Sequence, residues 1–287
     1  MQIPATVWRI GLVPLRLLRV IRFQWPKVQL VFTWLFTSRE TTNHTYDLTE
    51  RNLSDLADLI AVITGCPRAE VIGYIREPLT DSALLSHINN VISRSPSLSR
   101  SRADHAARFG RRLGWYAFAR ILKPRMTVET GVDKGLGSVL LCSALLRNMR
   151  EGFPGRYFGT DINPRAGYLL CGEYASAGSI HYGDSIESLR QLSGGVDLFI
   201  NDSDHSSDYE YAEYHVIEEK LSPSAVILSD NAHATDSLRR FAQESERQFL
   251  FFSEAPKDHW YPGGGIGIAV PHLPITKNEL KAPSTSS

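Results

Sequence analysis

Cysteine is scarce in this chain: Cys66, Cys142 and Cys171 are the only three in 287 residues. Their spacing matches neither a disulfide framework nor a zinc site, so a reducing, cytoplasmic setting is the expectation and redox chemistry is not. Net charge is lacking as well. Lys plus Arg and Asp plus Glu both total 31, which removes any general electrostatic argument for a nucleic-acid partner. Apolar runs are short: arginines interrupt each one in the first forty residues before about 18 residues, the length of a spanning helix, and no small-residue cleavage site follows them. The chain is expected neither to begin with a signal peptide nor to cross a membrane. Internal repeats are absent, and so is acid before Glu40, where six basic residues (Arg9, Arg16, Arg19, Arg22, Lys27 and Arg39) stand alone.

That basic leader, residues 1–40, mixes arginine with Leu, Ile, Trp and Phe, and on a helical wheel the arginines form one broad, imperfect stripe. Two readings stand open: a helical arm packed on its own body or on a second subunit, or a peripheral segment on an anionic membrane surface. Pro14 and Pro26 are expected to interrupt it. Residues 41–104 read as a helical extension. Leucines and isoleucines recur at helical spacing over 47–64 until Gly65 and Pro67 stop them, a second stretch covers 83–92, and the Ser-rich SRSPSLSRSR that follows is the boundary candidate. A third helix is expected over 106–122, and residues 276–287 are a polar tail.

Within 105–275 the pattern alternates strand and helix. MTVET, RYFGTDI, SIHYGD, VDLFIND and AVILSD are short and rich in β-branched or aromatic residues, which argues for an α/β, Rossmann-like, doubly wound and mostly parallel sheet. RQFLFFSEAP and GGGIGIAVP are joined by too short a loop for a helix, so they are expected to close the sheet as an antiparallel hairpin. The glycines at 263–265 lead into a strand and not a helix, which suits hairpin freedom better than phosphate binding.

The turn after the first strand, ETGVDKGLGS, places Glu129, Gly131, Gly135 and Gly137 where backbone can approach a ligand and helix-start N–H groups attract an anion. Three residues separate its first two glycines, unlike G-x-G-x-x-G. Asp161 and Asp184 end the next two strands, and Asp202 and Asp230–Asn231 the two after those. Each could simply cap the following helix.

Taken together, residues 106–271 resemble the class I S-adenosylmethionine-dependent methyltransferases, and among them the metal-dependent O-methyltransferases of catechols, caffeoyl-CoA and macrolide sugars. The resemblance implies that Glu129, Gly131, Gly135, Asp161 and Asp184 hold S-adenosylmethionine, with Asp161 on the ribose and Asp184 near the adenine. It further implies that Asp202, Asp230 and Asn231 bind Mg2+ or another divalent cation, which would orient a substrate hydroxyl and lower its pKa. His205 stands where these enzymes carry a basic side chain, and an imidazole can take a proton near neutral pH. A surface histidine capping the next helix is the plain alternative. Asp204 has three open roles: orienting His205, touching metal through water, or capping. His233, His259 and Trp260 fall on loops expected over the same edge, either lining an acceptor pocket or solvated.

The expected activity is O-methyl transfer to a hydroxyl of a small-molecule, sugar, polyketide or lipid-linked acceptor, with a homo-oligomer or a peripheral membrane contact as open partner readings. Two rivals are a cofactor-binding relative without metal or catalysis, and a Rossmann-type NAD-dependent oxidoreductase.

Overall fold

A computed structural model describes residues 10–38, 45–96 and 106–271. Among the described residues the chain begins with α1 (Val13–Thr37), α2 (Glu50–Thr64), α3 (Arg68–Thr80) and α4 (Ser82–Arg94). The cap residues show why α2 begins and ends where it does. The Thr49 side chain accepts the N–H of Asn52 at 3.2 Å, and Gly65 closes the helix in the left-handed conformation at φ 64°.

Two expectations change here. Within the leader, Val13–Thr37 is one helix, because Pro14 falls in the first turn, where its missing N–H costs nothing, and the turns around Pro26 carry the helix past it. Helix α3 was not expected: Pro67, Gly73 and Pro78 suggest breaks, yet Pro67 sits at the N-cap and Pro78 lies in the last turn. The Ser-rich boundary and the polar tail lie outside the described residues, the first four linker residues, 93–96, excepted.

From residue 112 the order is α5 (Arg112–Leu122), β1 (Met126–Thr130), α6 (Leu136–Arg150), β2 (Arg156–Asp161), β3 (Gly178–Tyr182), α7 (Ser185–Arg190), β4 (Val196–Asn201), α8 (Ser207–Glu218), β5 (Leu221–Ser229), α9 (Ser237–Glu244), β6 (Gln248–Ser253) and β7 (Gly265–Val270). The sheet runs β3-β2-β1-β4-β5-β7-β6, parallel except for β7, which is antiparallel to both β5 and β6. All five expected parallel strands and the closing hairpin are present.

Apolar layers cover both faces. Trp115, Tyr116 and Phe118 of α5 and Leu140, Leu141 and Leu145 of α6 share one core with α2 to α4, whereas Phe199, Tyr214 and Phe241 belong to a second core. The chain winds outward from β1 through β2 to β3, then returns to β4 on the other side of β1. That reversal leaves a crevice at the carboxyl ends of β1 and β4, the place where open α/β sheets bind ligands.

Candidate active site

At this crevice the structure forms a cavity of about 580 Å³, lined from one end to the other by Gly131, Asp161, Asp184, Asp202, His205 and Asp230, among others. The volume suits a nucleoside-sized ligand. Six aspartates line it against two arginines, Arg111 and Arg112, a balance that attracts cationic ligands and disfavours a dinucleotide's phosphates.

The cofactor-end residues do not all face the cavity. Asp161 does, and its carboxylate accepts the N–H groups of Asp133 at 2.9 Å and Asn163 at 2.8 Å, which fixes both oxygens at the β2 tip. Asp184 faces the cavity and also caps α7: one oxygen accepts from the Glu187 N–H at 3.0 Å and the other from the Tyr209 hydroxyl at 3.0 Å. Gly131 has φ 77°, and a Cβ there would lie 2.0 Å from the Asp202 carbonyl oxygen, so only glycine lets the β1 loop pass this close to β4. Gly135, at φ 88°, packs against Gly167 and starts α6.

Glu129 corrects the sequence expectation. It is 1% exposed and turned inward, receiving the Tyr157 hydroxyl and the Ser138 hydroxyl, the latter at 3.1 Å. It supports the glycine loop from below instead of meeting a ligand.

At the acceptor end the expected metal ligands are brought to one edge but are bound to protein groups. Arg111 grips Asp230 with Nε and with Nη2, the latter 2.6 Å from Oδ2. The same guanidinium reaches the Tyr46 hydroxyl at 3.1 Å and Glu254 at 3.4 Å, while Glu254 takes the Arg111 backbone N–H at 2.7 Å and that of Gly264 at 3.0 Å. Arg112 lies 3.6 Å from Asp202. Burial alone would raise Asp230, but Arg111 holds it down to about 2; burial and the neighbouring Asp230 carboxylate push Asp202 well up.

A divalent cation needs converging oxygens with free lone pairs and no competing cation beside them. Here the guanidinium of Arg111 supplies the counter-charge, and the Asn231 amide oxygen is taken by His205. The set Asp202, Asp230 and Asn231 therefore does not fit a divalent cation in this arrangement. Among the described residues, no group of three or more His, Cys, Asp or Glu could hold one either.

The His205 contact has a chemical consequence. The Asn231 carbonyl oxygen can only accept, so His205 donates Nδ1–H to it and leaves the Nε2 lone pair for a proton at the cavity wall. Asn231, expected as a ligand, is instead the residue that sets the tautomer. Asp204 receives the Ser206 N–H at 2.8 Å and so shapes the turn into α8. Of the loop residues, His233 bonds the Asp230 carbonyl through Nδ1 at 3.1 Å, and the His259 ring lies 5.3 Å from Tyr46. Neither lines the cavity, nor does Trp260, whose ring meets Trp34 at 5.4 Å.

Sequence reasoning missed Arg111, Glu254 and Tyr46. One signal was present: two arginines open α5, where the helix dipole disfavours cations, so they had to have partners elsewhere. It also missed Glu213, which reaches from α8 under the site and accepts from Ser185, Asn201, Ser203 and Thr130.

Residues 128–232, from β1 to just past the tip of β5, match the family model described as a methyltransferase domain. This stretch is a methyltransferase domain. The matched region holds the glycine loop, Asp161, Asp184, Asp202, His205 and Asn231 of the cavity edge. No curated protein matches the chain. Solved structures similar to this chain include the SAH-bound methyltransferase PaMTH1 of Podospora anserina, at 16% identity over 70% of this chain and 94% of that one, TM-score 0.46. TomG of Streptomyces achromogenes, an O-methyltransferase involved in tomaymycin synthesis solved with SAM, is 15% identical over 86% of this chain and 96% of its own, TM-score 0.42. An O-methyltransferase from Bacillus cereus in complex with SAH is 13% identical over 77% and 91%, TM-score 0.39.

The buried acids beneath the methyltransferase cavity make a pH prediction. Burial outweighs the hydrogen bonds to Glu129 and to Glu213 and raises each to about 7. A carboxyl raised in the folded state binds more protons folded than unfolded between its two pKa values, so its stabilisation is full below the ordinary value and is lost as pH rises through about 7. Melting temperature should fall between about pH 5 and 7.5, each glutamate accounting for at most on the order of 3 kcal/mol. Glu213→Gln should flatten this slope, and a wild-type profile flat over that range would contradict the assignment.

Proposed function

We propose that this methyltransferase moves the methyl group of S-adenosylmethionine to a hydroxyl oxygen of a small-molecule, sugar, polyketide or lipid-linked acceptor, with His205 as general base and no divalent cation. The observation that carries the reading is His205, held by Asn231 through Nδ1 and lining the same cavity as the Asp161 tip. Bound there, S-adenosylmethionine supplies an electrophilic sulfonium methyl and a net positive charge, and the aspartate-rich wall is complementary to that charge.

Each residue's part follows from its chemistry. Asp161, pre-aligned by two backbone N–H groups, accepts hydrogen bonds from vicinal hydroxyls. Asp184 and Gly183 bound the far end, where no atom lies within 4 Å of the position a Gly183 Cβ would take, leaving room for a flat ring. His205 Nε2 receives the acceptor's proton as the oxygen forms its bond to carbon, and the Asn231 oxygen stabilises the resulting imidazolium through Nδ1–H. Arg111 fixes the Asp230 side of the pocket, and Asp202 lines the wall beside it.

Calorimetry tests the cofactor half. S-adenosylmethionine should bind and NAD should not, and Asp161→Ala should weaken S-adenosylmethionine by about 10- to 100-fold, the value of hydrogen bonds to a charged group. NAD binding without a response to S-adenosylmethionine would overturn the reading.

A further inference from the structure

Helix α1 contains no buried residue over its 25 positions. At about 100° per residue, Val13, Leu17, Ile21, Val28, Phe32 and Leu35 fall on one arc of roughly 100°. Each is between 37% and 57% exposed. Trp34 lies outside that arc, and it is Trp34 whose ring meets Trp260 on the loop between β6 and β7. The helix therefore leans on the body by its other side and turns its apolar arc outward. Exposed apolar surface of this extent marks a site of contact.

The charges identify the partner. Arg16, Arg19, Arg22 and Lys27 are the only charged residues of α1. On the wheel Arg16 and Lys27 flank one border of the arc and Arg22 the other, where long basic side chains extend toward a charged surface while their stems lie on apolar ground. Two copies pressed arc to arc would set cations against cations with no carboxylate on the helix to pair them, contrary to the opposite-charge flanks that helix pairs use. An anionic lipid surface fits both the arc and its borders. No helix among the described residues is long and apolar enough to cross a membrane, which suits a helix lying in the interface.

We infer that α1 docks this protein on anionic membrane surfaces, its apolar arc in the acyl boundary and the flanking cations Arg16, Arg22 and Lys27 on the headgroups. Because β6 runs parallel to β5, the loop that Trp34 touches is at the same edge as the cavity, so docking would bring that edge near the lipid. The inference does not depend on methyl transfer.

The test is flotation of the full chain with vesicles of phosphatidylcholine alone and of phosphatidylcholine with one quarter phosphatidylglycerol, alongside sedimentation without lipid. Binding to the anionic vesicles should exceed that to the neutral ones by about tenfold or more and weaken with salt. Leu17→Glu with Ile21→Glu should abolish it while circular dichroism and S-adenosylmethionine affinity stay unchanged, and Arg16→Ala, Arg19→Ala and Arg22→Ala together should lower it. Equal binding to both vesicles would overturn the charge argument. No flotation, with a dimer that the Leu17→Glu, Ile21→Glu pair dissociates, would make the face a self-interface and overturn the inference.

Discussion

Arg111→Ala should destabilise the protein by about 3–5 kcal/mol, the usual result of stripping one partner from a buried ion pair. The effect is large because one side chain serves four segments: Tyr46 before α2, the start of α5, Asp230 at the β5 tip, and Glu254 after β6. Its loss leaves two carboxylates buried, with Asp230 and Glu254 at 3% and 5% exposure. Melting temperature should drop on the order of 10 °C for a chain of this size. Arg111→Lys keeps the charge but not the planar fork that meets both Asp230 oxygens, so it should fall between wild type and Arg111→Ala. A melting temperature for Arg111→Ala within about 2 °C of wild type would mean the guanidinium is not what neutralises this edge.

His205→Ala should lower the rate of methyl transfer by about 10²- to 10⁴-fold, the range of a positioned general base. S-adenosylmethionine affinity should be unchanged, because His205 stands at the acceptor end while Asp161 and Asp184 serve the other. Asn231→Ala should cause a smaller loss: the imidazole remains, but the partner that holds Nδ1 protonated is gone. The pair separates two roles. A base that acts through Nε2 predicts that the double variant is no slower than His205→Ala alone, whereas independent effects would multiply. A near-wild-type rate in His205→Ala would remove it from the mechanism.

The parts of the site that were legible in the sequence are those set by local pattern. Strand ends announce themselves by an apolar run that stops at an acid, so Asp161, Asp184, Asp202 and Asp230 were each placed correctly along the chain, and the missing helix before the final strands gave the hairpin. What was not legible depends on pairs far apart. Arg111 and Asp230 are 119 residues apart, and Tyr46 and Glu254 are 208 apart; no periodicity encodes such a meeting. The resemblance implies a metal at Asp202, Asp230 and Asn231, and the guanidinium that takes their charge sits at the start of a helix outside the strand pattern. Asn231 is a metal ligand only by the resemblance, and only the fold shows its side chain touching His205. Glu129 was misread because it ends the strand beside the glycines, yet its side chain turns into the core toward Tyr157.

One measurement bears most directly on methyl transfer by a histidine base without a metal. The purified protein, treated with chelator, is supplied with S-adenosylmethionine labelled in its methyl group and a panel of phenolic, sugar, polyketide and lipid-linked alcohols. The account predicts label in an ether product at a rate that added Mg2+ does not change. Absence of label from every acceptor, or label that disappears with chelator and returns with Mg2+, would contradict it.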